Sequence, residues 1–68
     1  MNTYNIFRKN EESTILYHAV ARDEAQVRNM AEAENIDIDG MEIELERSNV
    51  RTELGREPQA CINDAIVY

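Results

Sequence analysis

A single cysteine, Cys61, cannot form an internal disulfide, and with only one histidine, His18, no dense His/Cys cluster is available to hold a structural metal. The two glycines, Gly40 and Gly55, are too few and too far apart for a glycine-rich phosphate loop, and no nucleophile elbow or metal-binding helix motif occurs. No apolar run approaches the roughly 20 residues of a membrane span. The longest is Ala65-Ile66-Val67-Tyr68. The start MNTYNIFRKN lacks the apolar stretch of a secretory signal, and a lone cysteine suits a reducing compartment, so the expected location is the cytoplasm, with no membrane contact. Bases are also scarce. Seven Lys and Arg are dispersed along the chain and outnumbered two to one by acids, which leaves no basic footprint for direct nucleic-acid binding.

What the chain has in excess is negative charge in one place. Residues 23 to 46 hold nine acids against the single base Arg28, while the other five acids face six bases, so that segment carries −8 and the rest of the chain +1 of the net charge of −7. A concentrated negative field repels nucleic acid and acidic membranes and steers basic protein surfaces. At 68 residues, with 43% hydrophobic and 31% charged residues, the composition is that of one small folded domain and not of a disordered chain. Such a domain buries only about 60% of the surface its unfolded chain exposes. With no disulfide and no metal cluster, association with another copy is the remaining aid to a thin core.

The pattern predicts an α+β fold, roughly ββαβ with a C-terminal short helix and terminal strand, its one long helix packed on an antiparallel or mixed sheet. Tyr4 to Phe7 and Thr14 to Ala21 read as two β-rich runs joined by a connection longer than a two-residue turn. The second run is apolar on both faces: Ile15, Tyr17 and Ala19 on one, Leu16 and Val20 with His18 on the other. A helix covers one, and the other calls for a partner. Asp23 opens the helix, with Gln26 at capping-box spacing and Asp23 and Glu24 at its positive end. Val27, Met30 and Ala31 form its buried stripe, while Glu24, Arg28 and Glu32 form an exposed ladder. Asn35 is the expected C′ residue, placing Ile36 at C″ against Ala31 at C3.

From Ile36 to Glu46 apolar residues alternate but change phase at Asp39-Gly40, so a turn is expected there, followed by a strand over Met41 to Arg47. Met41, Ile43 and Leu45 then face the core. Glu42, Glu44 and Glu46 form an outward row at spacings of about 6.8 Å, twice the strand rise. Ser48 or Asn49 caps an expected short helix over Val50 to Leu54, stopped by Gly55. In the tail, Pro58 with Cys61, Ile62, Ala65 and Ile66 suits a helix but Ile66-Val67-Tyr68 favours a strand; a short terminal strand is expected.

Three constellations bear on chemistry. Asp37-x-Asp39-Gly40 with Glu42 and Glu44 has the carboxylate density of a calcium loop. Counted from Asp37, however, the sixth and twelfth positions are Glu42 and Ser48, where such a loop needs glycine and a bidentate glutamate. A turn followed by a solvated strand face is expected, with no cofactor and no metal. His18 and Cys61 could in principle form a base and nucleophile pair. An apolar setting favours a packed thiol at Cys61, and alternation with Leu16 and Val20 favours a structural or interface histidine. Paired carboxylates work as acid and base only when one is desolvated in a pocket, and so small a domain has little room for one, so an enzyme is not expected.

The expected function is protein binding. The acids Glu42, Glu44, Glu46, Asp37, Asp39, Glu24, Glu32 and Glu34 engage a basic surface, such as that of a nucleic-acid-binding protein, and block it by standing where phosphates would stand. The sharpest form of this expectation is a phage or mobile-element inhibitor of a host nuclease, restriction system or other DNA-binding machine. The plain alternative is a homo-oligomeric structural or accessory protein, a homodimer joined through Leu16, His18 and Val20, its acids merely solubilising. Arg47, Arg51 and Arg56 either neutralise neighbouring acids within the chain or contact the acidic patch of another copy.

Overall fold

The computed structural model describes residues 1–65. In chain order the elements are β1 (Asn2–Arg8), β2 (Tyr17–Ala21), α1 (Glu24–Ala33), β3 (Met41–Arg47) and β4 (Cys61–Asp64). The four strands form one sheet in the order β3-β1-β2-β4, and every neighbouring pair is antiparallel. The connection from β1 to β2 is a pair of successive turns, closed by Glu11 N–H to Arg8 O and Thr14 N–H to Glu11 O, each at 2.9 Å.

The helix lies over β2 and β4 and covers one face of the sheet. The register brings Tyr4 beside Ala19 and Leu45, Ile6 beside Tyr17 and Ile43, and Ala19 beside Ile62. With Ala21, Val27, Ala31 and Ile38 these residues build the core, in which Ile6 and Val27 are the largest fully buried side chains. Burial on the helix-covered face follows from period-2 alternation on β1 and β2 matched to the i, i+4 spacing of Val27 and Ala31, while Phe7, 4% exposed, breaks the alternation and is buried on the other face of β1.

Both helix ends form as the sequence predicts. The N–H of Gln26 donates to Asp23 Oδ1 at 2.8 Å, while the Gln26 side-chain oxygen reaches one residue beyond the cap and accepts from the Arg22 N–H at 2.7 Å. At the other end Asn35 takes φ 57, its N–H donates to Glu32 O at 3.1 Å, and Ile36 N–H donates to Ala31 O at 2.8 Å. That is a Schellman termination, with Asn35 at C′ and Ile36 at C″. Next, Ile38 to Met41 turns through Gly40 at φ 76, closed by Met41 N–H to Ile38 O at 3.0 Å. The turn resets the alternation phase.

Three expectations are corrected. No short helix forms over Val50 to Leu54, and no C-terminal helix occurs among the described residues. The segment crosses one end of the sheet from the β3 edge to the β4 edge, tied to the N-terminus by Val50 N–H to Met1 O at 2.7 Å. Five residues that include β-branched Val50 and Thr52 are too few to repay helix nucleation. Thr52 instead closes a turn with Gly55 and Arg56. Second, Leu45 is 53% exposed, not core, because β3 is an edge strand away from the helix. Third, Tyr4 pairs with Leu45 but Thr3 with Arg47, so Glu46 is an extra residue in a bulge and the acidic row is regular only over Glu42 and Glu44. The strand expected at Ile66-Val67-Tyr68 lies outside the described residues; β4 forms just before it. No helix among the described residues is long and apolar enough to cross a membrane.

Candidate protein-binding surface

All eight acids singled out in the sequence are exposed. Among the described residues only Glu24 has a basic side-chain partner, Arg28, at 3.2 Å one helical turn on. Arg28 does not extend the ladder to Glu32, and Arg47, Arg51 and Arg56 form no ion pair among the described residues. The one other ion pair there joins the N-terminal amine to Glu57 at 3.4 Å.

Each acid is positioned by a local feature. Glu42 and Glu44 alternate with Met41, Ile43 and Leu45 on β3 and pair across to Phe7 and Asn5 on the face opposite the helix. Glu46, in the bulge, accepts a hydrogen bond from the Thr3 hydroxyl at 3.3 Å. Asp37 Oδ1 accepts from the Asp39 N–H at 3.0 Å, which stiffens the turn that carries both residues. Glu32 stands in the last turn of α1 and Glu34 is its C-cap, with no basic residue in that turn. The helix C-terminus already bears negative partial charge, so carboxylates there are unfavourable by roughly 0.3–1 kcal/mol each.

Two grooves adjoin these groups. One, of about 1000 Å³, lies at the sheet end beyond Arg8 and Tyr17; Asp37, Asp39 and Asp64 line it together with Arg8, Lys9 and Tyr17. The other, of about 490 Å³, is lined by Glu24 and Arg28 of the helix, by Phe7, Met41, Glu42, Ile43 and Glu44 of the sheet, and by Lys9. Three acids, Glu24, Glu42 and Glu44, and two bases, Arg28 and Lys9, thus border a depression at the β3 edge. Sequence reasoning missed Asp64 and Glu11, which line the larger groove. The signal that would have found Asp64 is its cross-strand pairing with Tyr17, which depends on strand order.

His18 and Val20 lie on the helix-free face, His18 exposed and Val20 half-buried beside Cys61. Leu16, just before β2, is half-buried and lines the larger groove. His18 Nδ1 is 2.9 Å from Asn5 Oδ1, a hydrogen bond in the tautomer that carries its proton on Nδ1. Cys61 is diagonal to His18 across the strands, and its Sγ accepts from Asn63 Nδ2 at 3.5 Å. Among the described residues no polar or charged side chain is buried, and no group of three or more His, Cys, Asp or Glu is placed to hold a metal ion. Compared with known proteins, the chain matches no family model, no curated protein and no solved structure.

Proposed function

We propose that this protein is a small non-catalytic binding domain that covers a basic protein surface, of the kind that holds nucleic-acid phosphates, and blocks it. The observation that carries the reading is the acid-loaded C-terminal end of α1. Glu32 and Glu34 occupy the electrostatically wrong end of the helix with no base in its last turn, Asp37 and Asp39 follow directly beside a groove they share with Arg8 and Lys9, and none of the four forms an ion pair among the described residues. A local rule broken without compensation inside the fold is what a functional surface looks like, because the partner supplies the missing charge. Solubility alone needs acids only somewhere on the surface.

Glu42 and Glu44 extend the same field along β3, and Glu24 joins them at the smaller groove. The partner approaches by long-range steering, which is screened by salt. The test is the triple variant Glu42→Lys, Glu44→Lys, Glu46→Lys. These side chains are exposed, so the circular dichroism spectrum should match wild type while retention on a basic nucleic-acid-binding protein is lost. Retention unchanged both by this reversal and by reversal of the helix-end acids, Glu32→Lys and Glu34→Lys with Asp37→Lys and Asp39→Lys, would end the reading.

A second reading has its own observation, the half-buried Val20 and Cys61 side by side on the face that the helix leaves open. If that face joins two copies, Val20→Arg produces a monomer from a dimer in sedimentation velocity. In the first reading the wild type is already monomeric.

A further inference from the structure

We infer that the partner contributes an extended segment that adds as a fifth strand to the free edge of β3, with basic side chains alternating with apolar ones. The inference deepens the reading above and rests on it for the sign of the partner's charge. β3 ends the strand order and pairs only with β1, so the outer side of its seven residues carries backbone groups with no strand beside them. Such an edge is a template for another chain. Its two faces then specify what can pair. On one face Glu42 and Glu44 are exposed and have no ion-pair partner among the described residues. On the other, Met41 and Ile43 are half-buried and Leu45 is 53% exposed.

An added strand places every second side chain beside the glutamates and the others beside Ile43 and Leu45. Lysine or arginine satisfies the first set, and valine, isoleucine or leucine the second. The same glutamates reject a second copy of this chain, since like charges directly opposite one another destabilise a strand pair. The bulge at Glu46 twists the strand and bounds the regular edge to Met41–Leu45, which fits a segment of about five paired residues.

The probe is the peptide acetyl-Lys-Val-Lys-Val-Lys-Val-Lys-amide, titrated into labelled full-length protein with amide exchange and chemical shifts read along β3. Two further versions carry backbone N-methyl groups on alternate residues, one along each edge of the peptide, and a fourth peptide of equal charge is helical. The expected result is slowed exchange at alternate β3 amides, with one N-methyl version retaining binding and the other weakened roughly tenfold or more as inter-strand hydrogen bonds are lost. Equal binding by both N-methyl versions, equal binding by the helical peptide, or shifts centred on Asp37 and Asp39 would overturn strand addition and leave the basic-partner reading standing. If none of the four binds, both fall.

Discussion

Replacing Glu34 by lysine should stabilise the fold while weakening the proposed binding. Glu34 is the C-cap of α1, exposed and without a basic partner among the described residues, and the residue one turn before it is Met30, so no charge ladder is broken. A carboxylate at the negative end of a helix costs, and a cation there gains, roughly 0.3–1 kcal/mol each. Exposure sets both near the low end, so reversal swings the balance by about 0.6–1 kcal/mol. Glutamate and lysine have similar helix propensity, which leaves the electrostatic part to be read alone. In a domain of this size each kcal/mol moves Tm by roughly 4–8 °C, so Tm should rise by about 2–8 °C. The assay is thermal unfolding followed by far-ultraviolet circular dichroism in low salt, repeated near 1 M salt, where a Debye length of about 3 Å should remove most of the gain. Glu34→Gln should give about half of it. A Tm at or below wild type would refute the reasoning, and a gain unchanged by salt would assign it to something other than charge. Stability bought with function is a known trade-off, and here both sides of it fall on one residue.

Two further predictions test the fold that positions the surface. Ile6→Ala empties the middle of the core and should cost about 2–5 kcal/mol, whereas Leu45→Lys, at an edge position a strand pattern would call buried, should stay within about 0.5 kcal/mol; urea titration distinguishes them. Gly40→Ala meets no atom within 4 Å, so any loss is conformational and should be about 1–2 kcal/mol, the usual cost of a positive φ for a residue with a Cβ. A neutral result in thermal unfolding would mean that the turn does not hold Gly40 at φ 76.

The parts of this molecule that could be read from sequence are those governed by neighbours a few residues apart. Asp23 with Gln26, Asn35 with Ile36, and Asp39-Gly40 each carry their own local hydrogen-bond logic, and each appears where that logic puts it. What could not be read depends on which strand lies beside which. Leu45 alternates like a core residue, but its exposure follows from β3 being at the edge, and the displacement of Glu46 follows from a bulge against β1. Val50 to Leu54 carries helix signals that lose to the need to cross the sheet end. The meeting of Glu24 with Glu42 and Glu44 at one groove, and of Asp64 with Asp37 and Asp39 at the other, is long-range in the same sense. The acid identities were in the sequence; their grouping required the sheet.

In the proposed function this acidic surface takes the place of nucleic acid on a basic partner. Capture of the partner from a cell lysate on the immobilised full chain, followed by challenge of the complex with duplex DNA, tests this directly. The account predicts a nucleic-acid-binding protein that is released by DNA and by moderate salt, and that is not captured by the Glu42→Lys, Glu44→Lys, Glu46→Lys variant. A partner that binds DNA and this protein at the same time, or that is captured equally by the variant, would contradict it.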